Sequence, residues 1–129
     1  MFNKLMFLRY SLFVAIGGSF GAVLRYWVAE FVHLFFERNF PIGTLVVNVV
    51  GSFFMGFLSI YLFNKLSFSN ELRGLLLIGV LGSFTTFSTF SLDVVNLFNS
   101  GSLLLAFLNI FMSLLLCIGG ASLGVWLAQ

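Results

Sequence analysis

Charged side chains are scarce in this sequence: its 129 residues include six Lys or Arg and four Asp or Glu, 8% of the chain. So few charges exclude the basic surface with which proteins bind nucleic acids. A single cysteine, Cys117, excludes a disulfide framework. One histidine and scattered carboxylates provide no metal-ligand cluster and no familiar catalytic arrangement. We therefore do not expect an enzyme.

Hydrophobic residues make up 60% of the chain, with 19 phenylalanines and a mean hydropathy of +1.13. A soluble domain of this size could not bury that much apolar surface. The sequence therefore predicts an all-α integral membrane protein in a lipid bilayer, forming a single domain with four spans. The predicted spans are approximately residues 10–35, 42–63, 74–98 and 103–127.

Lys4 and Arg9 precede the first apolar run, as in a secretory signal peptide, but the run is too long for one, so we interpret it as an uncleaved first helix. With four spans, both termini lie on one side. That side would carry four cations, Lys4, Arg9, Lys65 and Arg73, and the other side only Arg38. Lys65 and Arg73 lie at the two ends of a polar connector that contains Ser67. This asymmetry favours termini inside a multi-pass protein of the inner (plasma) membrane.

The stretch from Gly79 to Ser91 is small and hydroxylated although it lies in an uncharged run at membrane depth. One interpretation is a helix–helix contact rich in small residues, with hydroxyls bonded to the preceding turn. The other is a broken helix that lines an ion path, because non-helical backbone at this depth must be buried in protein or face water. We favour the second.

Other polar groups could converge on the break. Thr44, Asn48 and Ser52 share one helix face, and Asn109 and Ser113 form a second stripe. Each row of polar side chains either forms hydrogen bonds between helices or lines a hydrated path. Arg25 either snorkels to the interface or faces an aqueous vestibule. Glycines predicted for close packing are Gly17, Gly21, Gly51, Gly56, Gly119, Gly120 and Gly124.

Hydroxyl and amide donors without a carboxylate cluster favour an anion as the permeant ion. Phe87 and Phe90, three residues apart, could present ring edges that carry the positive part of the quadrupole, although plain packing explains most such pairs. Backbone carbonyls at a break would instead suit a cation such as sodium. Because four short helices enclose little interior, we expect a homo-oligomer, most simply a two-fold dimer.

The string Gly-x-x-Gly-x-x-Thr-Thr-Phe-Ser-Thr-Phe-Ser from Gly79 to Ser91 resembles the third-helix signature of the small fluoride channels, the Fluc family, also called camphor-resistance proteins. Supporting motifs are the glycines from Gly17 to Arg25 in the first span and the pattern from Gly43 to Ser52 in the second. Length, span count and motif order agree, so the resemblance covers essentially the whole chain.

This resemblance implies a homodimer of oppositely oriented subunits, with two pores for passive fluoride efflux. It implies a structural Na⁺ held by the carbonyls of Gly82 and Thr85, and a vestibule near Arg25. The pore residues that it implies, or that the polar pattern of the matching helices suggests, are Phe87, Phe90, Asn48, Thr86, Ser88, Ser91, Asn109 and Ser113.

Two rival interpretations stay open. A proton-coupled exporter would need a carboxylate near the middle of its first span, where this chain offers only Glu30 near the end. Asp93 is likewise toward the end of its span. A non-conducting assembly subunit would use the small residues only for packing.

Overall fold

A computed structural model describes residues 3–66 and 68–129, so Ser67 of the predicted connector lies outside it. The described residues contain no strand, and four of their helices are long and apolar enough to cross a membrane. The first two spans are the single helices α1 (Lys4–Val32) and α2 (Ile42–Asn64). The third span (Asn70–Asn99) is divided into several segments, among them α3, α4 and α5, which are described below. The fourth span is the single helix α6 (Leu103–Ala128). The prediction of an all-α membrane fold is confirmed.

The first span begins at Lys4, earlier than the predicted start near Tyr10. The Asn3 side chain caps it by accepting a hydrogen bond from the amide of Leu5 (3.1 Å). Lys4 and Arg9 do not prevent this start, because charged side chains are compatible with helix and reach the interface. At its other end α1 stops at Val32, and an Arg38–Glu30 ion pair (2.8 Å) links the following loop to the helix.

The third span is broken, as predicted. It starts with α3 (Asn70–Arg73), continues as a π-helical segment (Gly74–Leu81) and ends its first half with the short turn α4 (Gly82–Phe84). Thr85 (φ −80°, ψ 155°) and Thr86 (φ −151°, ψ 115°) are extended. Helix then resumes as α5 (Phe87–Asn99). The chain thus leaves the helical pattern for two residues in the middle of an apolar span.

The first half of the third span packs parallel to α1 with almost no side chain between the backbones. A Cβ at Gly17 would collide with the carbonyl oxygen of Leu75, and one at Gly21 with that of Val80. The small-residue face predicted for α1 is therefore a real contact.

Helices α2 and α6 form a second parallel pair through glycines. A Cβ at Gly56 would meet the carbonyl oxygen of Ala121, and one at Gly124 that of Phe53. Gly120 also lies against α2, but Gly119 has open space around its Cβ position. The prediction that Gly119 belongs to the packing face is therefore wrong, because the residue after Gly119 on the helix faces the partner instead.

Candidate functional site

The break in the third span is held by one side chain of α2. The amide nitrogen of Thr86 donates to Oδ1 of Asn48 (2.7 Å), and Nδ2 of Asn48 donates to the carbonyl oxygen of Thr86 (3.0 Å). The carboxamide therefore satisfies both backbone groups of the extended residue, as a neighbouring strand would. Backbone at this depth has no bulk water to bond to, so this clamp makes the break possible.

Thr86 also starts the second half of the span. Its Oγ1 accepts a hydrogen bond from the amide of Thr89 (3.1 Å), which is the geometry of an N-cap. The same hydroxyl lies 3.2 Å from Oγ of Ser88 and donates to Oγ1 of Thr89 (3.1 Å). Because several hydroxyls share these bonds, a small change in rotamer can redirect a donor.

The carbonyl groups that the break frees include those of Gly82 and Thr85. In a continuous helix the carbonyl of Gly82 would accept from the amide of Thr86, and that of Thr85 from the amide of Thr89. Those amides donate instead to Asn48 Oδ1 and to Thr86 Oγ1. The two predicted sodium ligands have therefore lost their helical partners, and neutral carbonyl oxygens suit a small hard cation. The residues present fit the predicted ion.

A cavity of about 240 Å³ opens on the second half of the span, between α2 and α6. Five of the predicted pore residues line it together, and so does the predicted sodium ligand Thr85. The lining residues are Asn48, Ser52, Thr85, Thr86, Phe87, Phe90, Ser113, Leu114, Cys117 and Ile118. The wall combines hydroxyl and amide groups with two aromatic rings and carries no carboxylate.

Phe87 and Phe90 stand side by side on this wall. Their ring centroids are 5.5 Å apart and their planes meet at 50°. Phe87 is 77% exposed in the single subunit, so packing within the subunit does not account for its position. Both rings line the cavity, and the edge of an aromatic ring carries the positive part of its quadrupole.

Helix α6 supplies the opposite wall. Ser113 lines the cavity, and its hydroxyl donates to Oδ1 of Asn109 (3.3 Å). Asn109 is 2% exposed and does not line the cavity; its Nδ2 has no hydrogen-bond partner among the described residues. Cys117, one turn beyond Ser113, does line it, together with Ser52 of α2. The four-residue spacing after Ser113 is the signal in the sequence for Cys117, because it places the thiol on the same helix face as the hydroxyl.

Other predicted residues lie outside this cavity. The hydroxyl of Ser91 bonds back to the carbonyl of Phe87 (2.9 Å), and Ser88 contacts the cavity only through its bond with Thr86. Arg25 on α1 does not line it and makes no ion pair with the described residues. Its predicted vestibule role stays a prediction.

The polar face of α2 that is formed by Thr44, Asn48 and Ser52 extends beyond the cavity toward the loop between α1 and α2. The side chains of Thr44 and His33 lie close enough to Asp93 to act on its carboxylate, whose Oδ2 is shielded from solvent and has no hydrogen-bond partner among the described residues. His33 packs against Gly43, where a Cβ would lie 2.8 Å from Nε2. Asp93 therefore lies near Thr44, at the end of this polar face, and does not line the cavity.

Comparison with known proteins identifies one family. The profile described as "CrcB-like protein, Camphor Resistance (CrcB)" matches residues 12–125. Curated relatives named "Fluoride-specific ion channel FluC" include those of Methylococcus capsulatus (47% identical over 120 residues, 92% of this chain) and Coxiella burnetii (45% over 119 residues, 92% of this chain). One from Magnetococcus marinus is 50% identical over 112 residues, 87% of this chain.

The chain spans about half of the Methylococcus protein (53%) but nearly all of the other two relatives (96% and 91%).

Proposed function

This chain belongs to the CrcB family, and we propose that it is a fluoride channel of the inner membrane that lets fluoride leave the cell passively. Its relatives carry the name of fluoride-specific channels, and its own residues supply a site suited to a small anion. The observation that carries the proposal is the cavity at the third-span break, where hydroxyl donors and two phenylalanine rings meet without a carboxylate.

The wall of this cavity can replace part of the hydration shell of fluoride. Thr86 and Ser113 offer hydroxyl donors, and Phe87 and Phe90 offer ring edges. Each interaction is weak beside a full charge, so an ion that is drawn in can also leave. A fixed cation in the wall would bind the anion more tightly and slow its exit. We assign Ser88, Ser91 and Asn109 to the same path as supporting polar groups.

We propose that two oppositely oriented subunits form the channel, with one pore on each side of the two-fold axis. A structural Na⁺ would be held by the freed carbonyls of Gly82 and Thr85, four oxygens in all from two subunits. When bound, such an ion offers a positive charge that holds two broken helices together. What this chain contributes is the Asn48 clamp and the Thr86 cap, which keep those carbonyls out of helical hydrogen bonds.

Passive conduction fits the placement of the carboxylates better than proton coupling. Glu30 lies near the end of α1 and is paired with Arg38 (2.8 Å), away from the cavity. A proton-coupled exporter needs a carboxylate at the transport site. Fluoride enters acidified cells as HF, dissociates inside and would leave down its own gradient, so no energy source and no enzymatic step are required.

The test is fluoride efflux from liposomes that contain the purified protein, with chloride efflux measured in parallel. Phe87→Ile removes the ring edge at the cavity and should reduce fluoride efflux by at least about tenfold, equivalent to 1.4 kcal/mol at the barrier. Phe111→Ile makes the same change on an exposed face of α6 outside the cavity and should conduct like the unmodified protein.

Folded protein without fluoride-selective efflux would refute the proposal. If Phe87→Ile and Phe111→Ile lost fluoride efflux equally, the assignment of the pore to this cavity would be wrong. Loss of transport in Glu30→Gln, with conduction intact in Phe87→Ile, would favour the exporter.

A further inference from the structure

A second and larger cavity, of about 810 Å³, lies at the end of the molecule that carries both termini. It is enclosed by the start of α1, the end of α2 and the start of the third span. The lining residues on which the inference depends are Met6, Tyr10, Phe63, Arg73, Leu77 and Ile78. Its volume lies within the range of small-molecule sites, roughly 300–1,000 Å³. None of these residues takes part in the proposed ion path.

The cavity is apolar where it extends into the membrane and charged at its mouth. Leu77 and Ile78 follow Arg73 by about one helical turn, so they lie deeper in the span. Tyr10 forms the inner wall, with its ring packed against Gly74 at a distance that leaves no room for a Cβ. Met6 and Ile78 are 66% and 55% exposed in the single subunit. The cavity is therefore open to an occupant from outside the subunit.

Arg73 is the cation at the mouth that has no carboxylate partner among the described residues. Glu71, which also lines the mouth, is paired with Arg9 (3.3 Å). The Arg73 guanidinium makes one long hydrogen bond to the carbonyl of Leu62 (3.5 Å) and lies 4.1 Å from the centroid of the Phe63 ring. Its Nε is shielded from solvent and has no hydrogen-bond partner in the described part of the chain.

The surroundings of Arg73 add to its positive charge. This end of the molecule carries Lys4, Arg9, Lys65 and Arg73 against the single carboxylate of Glu71. Cations that lie beside membrane spans attract anionic headgroups. A guanidinium also matches the geometry of a phosphate group, which accepts two parallel hydrogen bonds.

We propose that this cavity binds an anionic phospholipid, with the phosphate at Arg73 and an acyl chain along Tyr10, Leu77 and Ile78. The charge at the mouth selects an anionic headgroup, and the apolar wall selects a lipid over a water-soluble phosphate. The phosphate would give the Arg73 guanidinium the anionic partner that it lacks among the described residues. The inference stands apart from ion conduction, since it depends on neither the break nor the first cavity.

The test is lipid binding to the purified protein in detergent, counted by native mass spectrometry. Phosphatidylglycerol and phosphatidylcholine with identical acyl chains are added in parallel. The protein should retain phosphatidylglycerol preferentially, and Arg73→Gln should lower that preference by about fivefold, the effect of removing one cation near anionic lipid. Arg38→Gln, at the opposite end of the spans, should keep the preference unchanged.

A second variant keeps the proposal testable even if Arg73→Gln does not fold. Ile78→Trp fills the deeper part of the cavity from an exposed position and leaves every charge in place. It should reduce retention of both lipids. Unchanged lipid retention in Ile78→Trp, or equal retention of the two lipids by the unmodified protein, would overturn the proposal.

Two further results would also overturn it. Glycerophosphoglycerol, the headgroup without acyl chains, should not displace the lipid at equal concentration; if it does, the site binds only a soluble phosphate. Lipid that native mass spectrometry finds bound to the monomer but not to the dimer would mean that a second copy of the chain covers the cavity.

Discussion

The two halves of the third span are held in place by different physical means. The first half, through Phe84, lies against α1 with glycine on both sides, and its closest contacts are backbone against backbone. The second half begins at Phe87 and depends on hydrogen bonds made by Asn48 and Thr86. Close packing fixes where the first half ends, and the polar clamp fixes how the second half begins.

Both means of holding the span are expected in a membrane. Lipid tails are as apolar as the side chains, so the hydrophobic effect does not drive helices together there. Helices therefore associate through close van der Waals contact or through polar groups that must be satisfied. The first half uses the former and is dry. The second half uses the latter, which leaves donors and carbonyls near the cavity. The hydroxyl donors and the two phenylalanine rings at the first cavity therefore belong to the break and the second half.

The largest effect is expected from filling the glycine contact of the first half. Gly21→Leu places a side chain where the carbonyl of Val80 lies, and a backbone carbonyl cannot rotate away. We expect the free energy of unfolding to fall by about 3 kcal/mol, as in overpacked cores. Thermal unfolding in detergent measures it. Gly119→Leu, with open space around its Cβ, is the matched control and should leave stability unchanged or raise it by up to about 1 kcal/mol through helix propensity.

If both glycine variants lost stability equally, the contact between α1 and the first half would not be what holds that half in place.

A smaller effect is expected from breaking the clamp of the second half. Asn48→Ala leaves the amide and the carbonyl of Thr86 without partners at membrane depth. We expect a loss of about 2 kcal/mol, the cost of buried unsatisfied polar groups, together with loss of fluoride efflux. Asn96→Ala, on an exposed face of α5, is the control and should change stability by less than about 0.5 kcal/mol. An Asn48→Ala protein as stable as this control would contradict the clamp.

The smallest effect separates the two threonines of the break. Thr86→Val removes the N-cap of α5 and should cost about 1 kcal/mol. Thr85→Val is the same isosteric change one residue earlier. It removes only a local bond from Oγ1 to the carbonyl of Leu81 (3.0 Å) and should cost less. Unfolding midpoints of the two variants under one condition make the comparison. A larger loss of stability in Thr85→Val than in Thr86→Val would mean that the Thr86 hydroxyl is not the group that caps the second half.

Much of the fold could be predicted because the signals are local. Four apolar runs are long enough to span a bilayer, and the cluster of hydroxyls in the third indicates a broken helix whatever the other helices do. Gly17 and Gly21 are four residues apart on one helix, so their shared face was also visible in the sequence. The ends of α1 were less predictable, because Lys4 and Arg9 are compatible with either helix or interface.

The composition of the cavity was harder to predict. Asn48 and Thr86 are 38 residues apart in the chain, and no local pattern indicates that one carboxamide satisfies both backbone groups of the other. Cys117 lines the cavity only because of the rotation of α6 against α2, which Gly120 and Gly124 determine. Ser91, equally polar, bonds back to its own helix.

The sequence by itself determined that this chain lies in a membrane, how many times it crosses, and that its third crossing is interrupted. Those properties follow from hydropathy and from hydroxyl and glycine content, which act within one segment. Only the tertiary structure decided which polar groups meet. It pairs Asn48 with Thr86 and frees the carbonyls of Gly82 and Thr85. It also places Arg73 at a second cavity, without a carboxylate partner among the described residues. The physical reason is that satisfying a buried polar group depends on helix rotation and depth, which packing between segments sets.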